Sequence, residues 1–222
     1  MNTNVKVAIA FSGAIVLIVV GFLVAAILQA PQSRDPETGS TPGAAPAAAI
    51  RDDTHILDDA GDGAVTVVEF LDFECEACGA FYPVVEDLRE EFSGRVTFAF
   101  RYFPLPGHGN SKNAAIAVEA AAQQGQLEAM YTRMFETQSE WGEAQESRAP
   151  LFRQFADELG LDLAEFDAAV ADPATLERVE SDFDEGVALG VGSTPTFFVN
   201  DRMVQLTSFE DLRAAIEAEL GR

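Results

Sequence analysis

Residues 65–78 read VTVVEFLDFECEAC. Val65 to Phe73 is rich in β-branched and aromatic residues and is apolar on both alternating faces. That pattern predicts a central strand covered on both sides. Cys75-Glu76-Ala77-Cys78 follows at once. From Ala77 to Phe92, the residues Phe81, Val84, Val85, Leu88 and Phe92 fall on one helical face, and Ser93-Gly94 ends the run. A C-x-x-C pair therefore stands where a strand gives way to a helix.

Arg95 to Phe103 (RVTFAFRYF) carries a second strand signal, so the unit reads β-α-β with a parallel pair and a right-handed crossover. A block of helices follows, from about 105 to 190: Ser111–Gln124, Leu127–Thr137, Pro150–Leu159, Leu163–Ala171 and Pro173–Leu189. Asp172-Pro173 suits a helix start, and Gly190 and Gly192 suit a stop. Thr196 to Val199 and Met203 to Gln205 then flank an Asn200-Asp201 turn. Ser208 is expected to cap a last helix, Phe209 to Leu220. Met130, Met134 and Phe135 read as core, and Trp141 as a lid or helix-packing residue.

The first fifty residues differ in kind. Val7 to Leu28 is an uncharged apolar run of 22 residues. As a helix it would reach ~33 Å, enough for a hydrocarbon core of ~30 Å. The rival reading is a cleaved signal peptide, but the run is long and Leu28-Gln29-Ala30 is a poor cleavage site. The expected organisation is an N-terminal tail and transmembrane anchor over 1–29, a Pro/Ala/Gly-rich linker over 30–49, and one domain over 50–222. Residues 1–49 hold only Lys6, Arg34, Asp35 and Glu37, which cancel, so the net charge of −23 sits in the domain. Such a domain repels phosphate backbones, which argues against nucleic-acid partners.

The two cysteines, Cys75 and Cys78, are the only ones in the chain. Zinc needs four ligands, and the remaining candidates, His55 and His108, lie far apart without finger spacing. A structural disulfide across so short a loop would stabilise by at most ~2 kcal/mol. Redox chemistry uses the position better. Free N–H groups at a helix start favour an anion, so Cys75 is the candidate nucleophilic thiolate. Cys78, one turn later, is the candidate resolving thiol. No cofactor beyond this redox pair, and no metal, is expected.

The run VVEFLDFECEAC, the helical block, and Gly192-Ser193-Thr194-Pro195-Thr196-Phe197-Phe198-Val199 together resemble the DsbA-like branch of the thioredoxin superfamily, over about residues 52–220. The resemblance implies an α/β thioredoxin-like fold with a helical insertion between its β-α-β and β-β-α halves. It implies a cis Thr194–Pro195 bond facing the cysteines, able to bind an extended substrate. It also implies a proton-relay role for Glu69; a partly wetted strand Glu is the alternative.

Two departures stand out. The strongest oxidants of that branch carry a histidine between the cysteines, whereas this chain has Glu76 and Ala77, with Asp72 and Glu74 nearby. Like charges oppose a thiolate, so Cys75 is expected to be less acidic than in those relatives. Thr194 stands where a prototype oxidase has Val, and leaves the direction of exchange open. His108 reads as a local hydrogen bonder at a helix entry.

The function these features imply is an extracytoplasmic dithiol oxidase, held at the cell membrane by a single span. It would act on thiols or disulfides of exported proteins and exchange electrons with a membrane redox partner, either a quinone-linked oxidase or an electron donor. A tethered reductase or isomerase, and a non-catalytic thioredoxin-fold binding module, are the alternatives.

Overall fold

The computed structural model describes residues 48–221. The proposed span and most of the linker lie outside them. Among the described residues, no helix is long and apolar enough to cross a membrane.

The described chain builds a five-stranded sheet around the apolar run that begins at Val65. Its strands are β1 (His55–Asp58), β2 (Val65–Leu71), β3 (Val96–Tyr102), β4 (Thr196–Val199) and β5 (Arg202–Met203), in the order β1-β3-β2-β4-β5. β2 and β3 are parallel, paired from Val65↔Val96 to Leu71↔Tyr102, with helix α1 (Glu76–Glu91) between them in sequence. β4 lies antiparallel on the other side of β2. β2 is thus central, and Val67 to Leu71 are all buried.

The alternation of side chains sorts β2 between two cores. Val67 joins Val85, Leu88 and Phe92 of the α1 segment and Leu212 and Ile216 of the last helix. Val68 and Phe70 join Ala99, Phe103, Val191 and Phe198. Ala49, at the end of the linker segment, is buried in this second core. A third cluster lies beyond the end of β2, where Leu71, Phe73 and both cysteines meet the helical block.

That block comprises α2 (Ser111–Ala122), α3 (Leu127–Glu136), α4 (Gln138–Trp141), α5 (Ala149–Glu158), α6 (Leu163–Ala171) and α7 (Pro173–Ala188). The alanines of α2 keep its flanks thin, and Ala114, Ala117, Val118 and Ala121 are buried against the neighbouring helices. Met130, Met134 and Phe135 are core residues. Trp141 is fully buried, edge-on to Phe152 at 4.9 Å.

The block is tied to the sheet by an ionic cluster. Arg101 of β3 donates from Nε to Asp182 of α7 at 2.7 Å, and also to Glu185. Arg178 pairs with Asp182 at 2.7 Å. The same carboxylate accepts the Tyr102 backbone N–H at 3.1 Å. Close by, Gly186 lets α7 approach the sheet: a Cβ there would sit 2.8 Å from the Phe103 ring and 3.0 Å from Phe70.

Two elements have no expectation in the sequence, and one expectation changes. The strand β1 carries no sequence signal strong enough to stand out, because four residues show too little alternation; its place is set by pairing with β3. Helix α4 is a single turn. The last helix, α8 (Glu210–Leu220), is not capped by the Ser208 side chain. Asp211 reaches back instead, accepting from the backbone N–H groups of Thr207 and Ser208 at 2.6 and 2.7 Å. This is the reverse half of a capping box.

Candidate active site

β2 stops at Leu71, and the chain turns through Asp72, Phe73 and Glu74. The Asp72 side chain drives this turn. Its Oδ1 accepts the Glu74 N–H at 2.9 Å, and its backbone carbonyl accepts the Cys75 N–H at 3.1 Å. Aspartate favours such turns because its carboxylate can bond the backbone two residues on. Cys75 comes out as the N-cap of α1, with extended backbone and no side-chain cap. Its carbonyl accepts the Gly79 N–H at 3.1 Å, the first bond of the helix. Its sulfur therefore stands at the mouth of α1, where N–H groups lack intrahelical partners.

Both cysteines are free thiols. Cys78 is fully buried, while Cys75 keeps 7% of its surface exposed. The Thr194–Pro195 bond is cis. The Cys75 Sγ lies 3.5 Å from the Thr194 carbonyl oxygen, which accepts from the thiol. Glu69 sits within β2 opposite Phe100 on one side and Phe197 on the other, and is 4% exposed. The fold thus gathers Cys75, Cys78, Thr194 and Pro195 at the end of the sheet, with Glu69 buried behind them.

The family described as thioredoxin matches residues 60–218. The chain belongs to the thioredoxin family. Its fold is similar to that of a thioredoxin-like oxidoreductase from Silicibacter pomeroyi, with a TM-score of 0.66 and 26% identity over 79% of this chain and 97% of that one. It is also similar to BdbD from Bacillus subtilis in its oxidised form, with a TM-score of 0.67 and 24% identity over 76% and 94%. Wolbachia pipientis alpha-DsbA1 gives a TM-score of 0.66 at 19% identity over 78% and 93%. The structural neighbours are thus DsbA-like. Curated relatives include Na(+)/H(+) antiporter NhaA of Herminiimonas arsenicoxydans, 37% identical over 148 residues, which are 65% of this chain and 22% of that protein. Na(+)/H(+) antiporter NhaA 3 of Salinispora tropica is 39% identical over 139 residues, 62% of this chain and 20% of that protein. The chain spans about a fifth of the length of the curated relatives it matches.

Electrostatics separate the two thiols of this thioredoxin-family domain. A hydrogen bond from Cys78 is the main cause that lowers the Cys75 pKa to about 5. Burial opposes it, while the Thr194 side chain and the backbone N–H groups of Cys78 and Ala77 assist. Burial pushes the Cys78 thiol well above its ordinary range, with Cys75 and Glu69 adding to it. Burial likewise raises Glu69 to about 8, reinforced by the charges of Cys75 and Glu86. One thiol is set to be an anion, and the other to hold its proton beside an acid that also holds one.

Counted along the chain, the acids near the pair work against the thiolate. Cys75 is nevertheless acidic, because the bond from Cys78 and the helix-start N–H groups outweigh them. The Asp72 and Glu74 carboxylates are occupied by backbone donors: Asp72 by Glu74 and Leu105, and Glu74 by the Asn110 N–H at 2.5 Å. A pKa near 5 still leaves Cys75 a weaker acid than a thiol at about 3.5, the low end for such sites. Alkylation of the reduced protein should therefore rise with pH around a midpoint near 5, since the thiolate is lost as pH falls through that value. A midpoint above about 8 would mark Cys75 as an ordinary thiol.

Two supports of the site carry no sequence signal. Gln138 of α4 donates through Nε2 to the Phe73 carbonyl at 2.7 Å and the Cys75 carbonyl at 2.9 Å. It clamps the turn from the helical block, and only a glycine at 79 leaves it room, since a Cβ there would lie 2.1 Å from Gln138 Oε1. The His108 backbone N–H bonds locally, to the Leu105 carbonyl, but its ring does not. Its Nδ1 lies 2.6 Å from Asp72 Oδ2, 36 residues away.

Proposed function

We propose that this chain is a thiol-disulfide oxidoreductase working as a dithiol oxidase on exported proteins. The observation that carries this reading is the acidic Cys75 thiol at the helix mouth, 3.5 Å from the Thr194 carbonyl, with Cys78 sealed one turn behind. In the oxidised enzyme, a substrate thiolate attacks Cys75 Sγ. The Cys75–Cys78 bond breaks, and Cys78 leaves with the electron pair. Cys78 then takes a proton, for which neutral Glu69 is the nearby donor. The backbone beside the cis Thr194–Pro195 bond would pair with the substrate strand. A second substrate thiolate attacks the substrate sulfur and expels Cys75 as a thiolate. Two substrate thiols become one disulfide, and two electrons rest on the cysteine pair. A low pKa at Cys75 makes that last departure fast.

Regeneration needs an acceptor of two electrons. A quinone-linked membrane partner supplies that chemistry, and the apolar run Val7–Leu28 would keep the domain beside it on the extracytoplasmic side of a single-pass anchor. The antiporter names of the curated relatives support a membrane setting for domains of this kind. A reductase or isomerase, kept reduced by a membrane electron donor, is the second reading. Glu76 beside Cys75 favours it, because negative charge there works against a strongly oxidising pair.

The reduction potential separates the two. Equilibration of the full chain with glutathione should give a value nearer about −120 mV than about −270 mV if the oxidase reading holds. A value at or below the latter makes the protein a reductant. A binding module without turnover would form no mixed disulfides in a Cys78→Ala variant.

A further inference from the structure

Asp72 is the common anchor of two segments. Through Oδ1 it holds the turn that delivers Cys75, and through Oδ2 it holds the loop between β3 and α2, accepting Leu105 N–H at 3.0 Å and pairing with His108 Nδ1 at 2.6 Å. The carboxylate is itself buried, whereas the His108 side chain remains 27% exposed. An Nδ1–H pointed at Asp72 leaves Nε2 directed away from it and able to take a second proton. The charged and titratable groups around this ring are Asp72, Glu74, Cys75, Glu76 and Glu143, with Lys112, Glu180 and Asp184 lining the cleft it shares on its other side.

We propose that His108, held by Asp72, is a positioning residue whose imidazolium stabilises the Cys75 thiolate, supplying from a separate loop the cation that Glu76 and Ala77 do not provide. This deepens the oxidoreductase reading and rests on it. Burial works against a charged His108, but the bond and charge of Asp72, then the charges of Cys75 and Glu74, outweigh it and raise its pKa. The same ring lowers Glu76, after that residue's helix-start N–H and a bond from Glu143. Coupling between two titrating groups is reciprocal: a thiolate that favours the imidazolium is favoured by it to the same degree. Cys78, Thr194 and the helix N–H groups act on Cys75 more strongly, so the contribution of His108 is an increment upon theirs.

The test is a titration of the Cys75 thiolate by its ultraviolet absorbance, on the reduced full chain. His108→Gln keeps a donor for Asp72 and removes the charge. It should weaken Cys75 as an acid about three- to tenfold. His108→Lys restores a charge without the ring and should recover most of that loss. A role in folding alone would not follow charge in this way. In a His55→Gln background, proton NMR then follows His108 directly. Its pKa should fall when the Cys75–Cys78 disulfide forms and the thiolate vanishes. An unchanged Cys75 acidity in His108→Gln, or the same His108 pKa in both redox states, overturns the proposal while leaving the oxidoreductase reading intact. A wild-type Cys75 that titrates as an ordinary thiol and ignores small disulfides overturns both.

Discussion

Replacing Cys75 with alanine is expected to reduce catalysed refolding of a reduced, disulfide-containing protein to the uncatalysed background. The effect should be total because Cys78 cannot take over. It is fully buried, and its pKa is pushed well above that of a free thiol, so at neutral pH it offers almost no thiolate and no path for a substrate sulfur. The complementary variant separates the roles. Cys78→Ala leaves the acidic thiol in place and removes the group that resolves it, so the protein should collect as mixed disulfides on Cys75. Non-reducing electrophoresis reads both outcomes. Catalysis surviving in Cys75→Ala, with Cys78 intact, would assign the attack to the wrong sulfur.

Asp182→Ala is expected to destabilise the fold strongly. The carboxylate is fully buried, and it holds Arg101, Arg178 and the Tyr102 backbone N–H together. Removing it leaves the Arg101 guanidinium, 1% exposed, with Glu185 as its remaining acidic partner. Breaking a buried pair from one side costs roughly 3–5 kcal/mol, because the orphaned charge stays out of water. In a domain of this size that corresponds to a drop in Tm of the order of 10 °C. Thermal or urea unfolding measures it. A cost below about 1 kcal/mol would mean that Glu185 alone satisfies Arg101. Replacing Arg101 with methionine as well should recover part of the loss, since the unpaired charge is then gone.

Much of this site could be read from the chain because its main features are local. The apolar run from Val65 and the helical spacing after Cys78 set the strand, the helix and the place of both sulfurs between them. Asp172 caps α7 with its own side chain, accepting the Ala174 N–H at 2.9 Å, for the same local reason. The strand β1 shows the opposite case: His55–Asp58 becomes a strand only because β3 offers it an edge. Glu69 is intermediate. Its alternation places it on the strand, but nothing local decides whether its carboxyl is wet, and burial between β3 and β4 raises its pKa to about 8.

By itself, the sequence determined that a cysteine would open a helix after a central strand, because backbone propensity and apolar period act over a few residues. The tertiary structure alone decided what surrounds that sulfur. The Thr194 carbonyl comes from 119 residues away, the Gln138 amide reaches Phe73 across 65, and His108 meets Asp72 across 36. Charge and hydrogen bonding depend on distance in space, so the local bonds from Cys78 and the helix-start N–H groups lower the Cys75 pKa, while burial and the Thr194 side chain act on it only once distant segments pack together. In linear order, the acids predict a reluctant thiolate; in the folded chain, the bond from Cys78 and the helix-start N–H groups favour it.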